Sequence, residues 1–312
     1  MNNPFLIALV AVAILLLEAA PGFFFVKRGM IAADRGADFS KVLLYFCQPC
    51  LAVYTFTSAE FSMEKLADIG IFAAATLAIN ALMLGAGALI LRKKFKDTSY
   101  RIITVATVFA NCAFFGIPII EALLPDVAPE LIIYTTVYAT VMNILGWAIG
   151  IAIITGDVKN ISAKKIFINP AMLGVAIALP LFIFSVELPG PLSDAISVAG
   201  RMTTPLSMLI MGMRLATASA RSIFTSVKAY AAVAVKAFLM PLIAFGMVYF
   251  LPIPTEVKQT FFIIAACPTA SVVLNFSELC GAGQREAAAS VLLSTIFSVV
   301  TLPIMVLMLP LF

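Results

Sequence analysis

Apolar residues in this chain come in long runs, not in alternation. Ten of them occur, at 4–26, 38–59, 67–91, 101–124, 130–155, 168–187, 191–214, 228–251, 257–280 and 286–311. Each is about 20 residues or longer, the length a helix needs to cross a hydrocarbon core roughly 30 Å thick. "KRG", "RKKFKD", "TGDVKN" and "LPIPTE" close the first, third, fifth and eighth runs. The pattern predicts an all-α membrane protein with ten transmembrane helices.

Composition sharpens this. Of the 312 residues 62% are hydrophobic and 12% charged, against roughly 45–50% and about 25% in soluble domains. The first run has no basic residue before it and is too long for a signal-peptide core, so it reads as a retained span. Positive charge collects in cytoplasmic loops. Lys27, Arg28, Arg35, Lys41, Arg92, Lys93, Lys94, Lys96, Arg101, Lys159, Lys164, Lys165, Arg214, Arg221, Lys228 and Arg285 fall in one set of alternate loops, whereas the other set holds only Lys65 and Lys258. Both termini are therefore expected outside the cytoplasm of a prokaryotic inner membrane. The net charge of +4 serves topology, which argues against nucleic acid as a partner. There is no histidine, and Cys47, Cys50, Cys112, Cys267 and Cys280 all lie in or beside apolar runs. No metal site, disulfide scaffold or cofactor is expected, and the C-x-x-C of Cys47 and Cys50 lacks the βαβ setting of a redox motif. Nor does the chain contain H-E-x-x-H, G-x-S-x-G or a Walker A loop, so an enzyme is not expected.

Laid against each other, the two halves repeat. "LYFCQPCLAV" around Pro49 in the second run matches "GRMTTPLSML" around Pro205 in the seventh, and "ANCAFFGIPII" around Pro118 in the fourth matches "IIAACPTASVV" around Pro268 in the ninth. Because five is odd, the second half enters the membrane from the opposite face. This predicts a 5+5 inverted repeat of residues 1–155 and 168–312 joined by a connector at 156–167. Paired Gly/Pro-interrupted spans in such halves point to a secondary transporter's binding site.

The interruptions carry the candidate chemistry. Proline removes a backbone donor and clashes with the carbonyl four residues back, and freed backbone groups are tolerated at membrane depth only inside protein or beside a wet cavity. Gly116 and Pro118 predict a break in the fourth span, and Pro268, followed by Thr269 and Ser271, predicts one in the ninth. Crossed near the midplane, the two breaks would turn half-helix N-termini toward an anion. Asn111, seven residues before Pro118 and adjacent to Cys112, and Asn275, seven after Pro268, would offer amides to a carboxylate; for Asn275 an ordinary interhelical hydrogen bond explains the residue equally well. Lys236, inside the eighth run, either supports the crossing as a bound sodium ion would, or snorkels to the interface. Arg201 either meets an anion or snorkels outward. Glu18, Glu121 and Glu278 are the carboxylates in or near spans able to carry a coupled proton. Gln48, Pro49, Thr204 and Pro205 complete the candidate list from the other proline pair.

"FFVKRGMIAADRGADFSKVLLYFCQPCLAVYTFTS", "NCAFFGIPII", "TTPLSMLIMGMRLA" and "CPTASVVLNFSELCGAGQREAAASVLLSTIFSVVTLPI" resemble, in order along nearly the whole chain, the bacterial auxin efflux carrier family, relatives of the plant PIN exporters. The resemblance implies the fold shared with PIN proteins and bile acid symporters. Spans 1, 2, 6 and 7 would form a scaffold domain, and spans 3–5 and 8–10 a transport domain that carries the crossed helices in an elevator-like movement. It implies a small organic anion as substrate, with Asn111, Pro118 and Pro268 at the crossing, besides membrane lipids and a homodimer through the scaffold as partners. The chain lacks the long hydrophilic loop of many plant PINs, and "CPTAS" departs from the sodium-binding pattern of bile acid symporters. The alternative function is a membrane sensor that binds a ligand without turnover; with no signalling module within the 312 residues, transport is the expected reading.

Overall fold

A computed structural model describes residues 3–162, 164, 166, 168–219 and 223–312, except the side chain at 33. Lys165 and Arg221 of the charge tally lie outside the described residues. Within these the chain is helical, and no strand occurs beyond one isolated antiparallel bridge. The helices are α1 Pro4–Lys27, α2 Gly36–Thr57, α3 Met63–Leu91, α4 Thr98–Ala106, α5 Cys112–Leu123, α6 Ala128–Thr155, α7 Pro170–Ile183, α8 Gly190–Arg201, α9 Thr203–Thr217, α10 Val227–Tyr249, α11 Thr255–Ala266, α12 Val272–Cys280 and α13 Gln284–Val306. Six stretches are long and apolar enough to cross a membrane, and α5 and α7 are shorter apolar helices. Many large apolar side chains lie exposed on the outside, among them Leu17 on α1, Leu89 and Ile90 on α3 and Ile177 on α7, as a lipid-facing surface requires.

Local chemistry sets the helix starts. Asn3, Ser62, Asp97, Asn169 and Ser226 each accept a hydrogen bond from a backbone N–H of the first turn, satisfying donors the helix leaves open. At three prolines inside helices a widened turn absorbs the ring, whereas Pro21, Pro180 and Pro303 sit in α-helix without one. Leu43–Cys47, Cys112–Gly116 and Val235–Leu239 are π-helical, and each ends two residues before a proline, Pro49, Pro118 or Pro241. A wider turn moves the carbonyl that the pyrrolidine ring would strike. The stretch that reads as one run at 191–214 is instead two helices, parted at Met202, three residues before Pro205.

Small residues let backbones touch. A Cβ on Gly212 of α9 would sit 1.8 Å from the Ala19 carbonyl oxygen of α1, and one on Gly22 would sit 2.0 Å from the Leu209 oxygen. Gly174 of α7 likewise abuts Pro49 of α2, and Gly200 of α8 abuts Leu51. Elsewhere aromatic rings interlock: Phe72 of α3 meets Tyr134 of α6 and Phe261 of α11 at 4.9 and 5.0 Å between centroids. The discontinuous pairs α4/α5 and α11/α12 lie inside this second group, and most of their residues are buried.

Candidate functional site

The interruptions at 107–111 and 267–271 meet each other. Asn111 N–H donates to the Pro268 carbonyl at 2.8 Å and Ala270 N–H to the Phe109 carbonyl at 2.9 Å, a two-bond antiparallel pairing of Ala110 with Thr269. The irregular backbone, buried here, thereby finds its partners within the protein. A Cβ on Gly116 would meet Cys267 Sγ at 3.6 Å, an ordinary packing distance.

Two helix C-termini and two N-termini converge here, and they are treated differently. The Ala106 carbonyl, at the end of α4, accepts from Thr269 Oγ1 at 3.0 Å, while Thr269 N–H donates to Ser294 Oγ at 3.0 Å. The Ala265 carbonyl, at the end of α11, accepts from Lys236 Nζ at 2.8 Å. Lys236 is only 1% exposed, so it does not snorkel. Its ammonium sits against the negative end of the α11 dipole. Both C-terminal ends are thus capped from within.

The N-terminal ends of α5 and α12 instead border a cavity of about 70 Å³, into which Asn111, Cys112, Ser271, Asn275 and Gln48 all face, together with Ser207 and Arg214 of α9. Asn111 is 3% exposed, and its Nδ2 has no hydrogen-bond partner. Arg214 donates from Nη2 to Asn275 Oδ1 at 2.7 Å and lies 4.0 Å from a Glu278 oxygen, while its buried Nη1 has no partner. Two donors, one of them cationic, are therefore left open on residues that line one small cavity. A wider cavity of about 480 Å³ adjoins it, sharing Gln48, Asn143, Arg214 and Asn275 and adding Lys41 and Trp147.

The remaining sequence candidates lie elsewhere. Pro118, Glu121, Arg201, Thr204 and Pro205 line a separate cavity of about 320 Å³ with Glu18 and Tyr54. Arg201 there donates to the Tyr54 hydroxyl at 2.9 Å and stacks over its ring. Thr269 spends both its hydroxyl and its N–H on the crossing, and Pro49 packs against α7. Cys47, Cys50, Cys112, Cys267 and Cys280 are free thiols.

Arg214 is the cavity-lining residue that sequence reasoning misplaces. A cation near the end of an apolar run reads as a topogenic loop charge, yet it occupies the last turn of α9 with its side chain 19% exposed. The available signal is that apolar periodicity continues past it through Leu215 and Ala216. Asn143, midway along α6, was also passed over; its amide donates to the Ala139 carbonyl at 2.8 Å and lines both adjoining cavities.

No curated protein matches this sequence. The profile of the membrane transport protein family matches residues 7–164 and 154–306. With the matched stretches running together over almost the entire length, the chain belongs to the membrane transport protein family, the family of the auxin efflux carriers its motifs resemble.

Proposed function

We propose that the protein is a secondary carrier for a small organic anion such as a mono- or dicarboxylate or an auxin-like weak acid. The observation that carries this reading is the pair of unpartnered donors, Asn111 Nδ2 and Arg214 Nη1, at one cavity beside the crossing. Buried donors left open cost about 1–3 kcal/mol each, and a carboxylate with two oxygens would satisfy both. The N-termini of α5 and α12 add partial positive charge at the same cavity.

In the wider reading, ten spans form a 5+5 inverted repeat in a prokaryotic inner membrane, with both termini outside the cytoplasm. The crossing rides with spans 3–5 and 8–10 against a scaffold of spans 1, 2, 6 and 7. The helix boundaries and the backbone contacts of α1 with α9 and of α2 with α7 and α8 support that grouping. Lys236 takes the place of a coupled sodium ion by holding the Ala265 carbonyl. Export of the anion would draw on an inside-negative potential, at about 2.3 kcal/mol per charge per 100 mV.

The test is flux of labelled carboxylates in proteoliposomes, with and without sodium. Saturable flux that Arg214→Gln abolishes and Arg214→Lys partly restores is the expected result. Saturable binding with no flux under any gradient would make the protein a sensor instead, and flux unaffected by Arg214→Gln would remove the site.

A further inference from the structure

A second feature lies apart from the crossing, next to the basic turn at 92–96. α3, α4 and α10 separate there to leave a groove of about 480 Å³. Gly87 and Ala231 set its width, and Met83, Ile103, Leu239 and Ile243 make its walls almost wholly apolar. The hydroxyls of Thr104 and Thr107 on its rim are spent on their own helix, donating to the Tyr100 and Thr104 carbonyls, each at 2.8 Å. The groove therefore asks for no polar partner along its length. From Lys228 to Ile243 it follows α10 for fifteen residues, about 22 Å at 1.5 Å per residue, which is enough for one acyl chain within a single leaflet.

Its mouth has the opposite character. The ring of Tyr100 lies between two ammonium groups, Lys228 Nζ at 4.4 Å and Lys94 Nζ at 5.1 Å from its centroid. Asp97 pairs with Lys228. Among the described residues Arg92, Lys93 and Lys94 have no carboxylate partner. An apolar slot open toward the bilayer and crowned by unpaired cations is complementary to an amphiphile with a fatty chain and an anionic head.

We infer that this groove is a binding site for an anionic phospholipid, with its acyl chain along α10 and its phosphate between Lys94 and Lys228. The site bears on the crossing from behind. The lipid chain packs on Val235 and Leu239 of the π turn, whose inward-facing Lys236 holds the Ala265 carbonyl. A seated lipid therefore braces the turn that braces the crossing.

Native mass spectrometry of the intact protein in an equimolar mixture of phosphatidylglycerol and phosphatidylcholine tests this. The parent is expected to retain one phosphatidylglycerol preferentially, and inorganic phosphate in excess should not displace it. Lys94→Gln should reduce the preference about fivefold, while the folded protein persists. Ala231→Phe, which fills the groove, should remove the adduct of either lipid. A preference that stays within twofold in the charge variant overturns the proposal, as does an adduct that survives Ala231→Phe. A doubled protein mass without lipid adduct that Ala231→Phe returns to the single-chain mass would assign the groove to a second copy of the chain and also overturn it. Should Ala231→Phe fail to fold, the charge variant decides alone.

Discussion

Replacing Asn111 with alanine separates a ligand-binding asparagine from a packing one, because the two roles predict opposite signs for stability. In the structure the side-chain nitrogen makes no hydrogen bond, although the residue is 3% exposed. The bonds that hold the crossing at this position are backbone ones. Asn111 N–H donates to Pro268, and its carbonyl accepts from Phe115 and Gly116 at 3.2 and 3.1 Å. Alanine keeps all three. Truncation thus removes an unsatisfied donor whose burial costs about 1–3 kcal/mol, and the atoms removed already border a cavity, so little packing is lost. Stability without ligand should be unchanged or higher by about 1 kcal/mol. Binding should weaken by the worth of a hydrogen bond to a charged group, about 1.5–3 kcal/mol, or roughly 10- to 150-fold in Kd. Asn111→Asp, nearly the same shape, places a carboxylate against the anion and should weaken binding further. The assay pairs a thermal melt in detergent with calorimetric titration of the carboxylate that best stabilises the parent. A Tm lowered by several degrees with Kd within threefold of the parent would refute the reasoning and return Asn111 to a packing role.

Three further outcomes follow from the geometry. Lys236→Gln replaces a cationic cap on the Ala265 carbonyl with a shorter neutral one, so the melt should fall by the equivalent of about 1–3 kcal/mol and transport should drop while staying sodium-independent; unaltered flux and melt would show that the ammonium is not a brace. Gly212→Ala drives a Cβ into the Ala19 carbonyl oxygen and should cost about 1–3 kcal/mol as overpacking, visible as a lowered Tm, whereas Gly246→Ala, where nothing lies within 4 Å, should leave the melt unchanged. Asp97, in the turn before α4, is held down to about 2 by its hydrogen bond with Lys228 and by the Ser99 amide; because its folded value lies below the ordinary carboxylate value, its contribution is present near neutral pH and is lost as pH falls toward 2. Asn keeps the helix cap, so the Tm difference between the parent and Asp97→Asn should close on acidification; a constant difference would place the effect in the cap and not in the charge.

The crossing was legible in part because proline acts locally. Pro268 lies within the break at 267–271 that it predicts, whereas Gly116 and Pro118 lie inside α5, where a π turn absorbs the ring, and the fourth-span break falls before them at 107–111; Asn111 stands out as an amide in an apolar run. Other features depend on neighbours that sequence order does not reveal. Thr269 reads as a ligand because a hydroxyl lies beside a break, yet the nearest acceptor turns out to be the end of α4. Asn275 reads equally as a partner of Asn111 or as an interhelical hydrogen-bonding residue, and the structure shows the second, its oxygen accepting from Arg214 of α9. Gly22 and Gly212 look like ordinary membrane glycines until their helices are seen to touch through them.

Lys236 and Arg214 do different work, and the difference bears on the anion proposed as substrate. Four helix ends meet there, and with both pairs of ends left bare their partial charges would roughly cancel. Thr269 and Lys236 neutralise the two C-terminal ends, leaving the positive ends of α5 and α12 uncompensated at the cavity. Lys236 is spent in creating that imbalance and has no line to the ligand. Arg214 comes from α9, outside the crossed helices, and supplies a whole charge with one face of its guanidinium committed to Asn275 and the other open. The anion is thus met by fields from the crossing and by a cation from the helix it would move against. If the crossing travels relative to α9, the Arg214–Asn275 bond and the longer Arg214–Glu278 contact must break and reform. Their strength then sets both how tightly the anion is held and how readily the carrier leaves this state. Asn275→Ala should free the guanidinium to bind the anion at least as tightly while changing the rate of exchange, a combination that a purely structural asparagine would not produce.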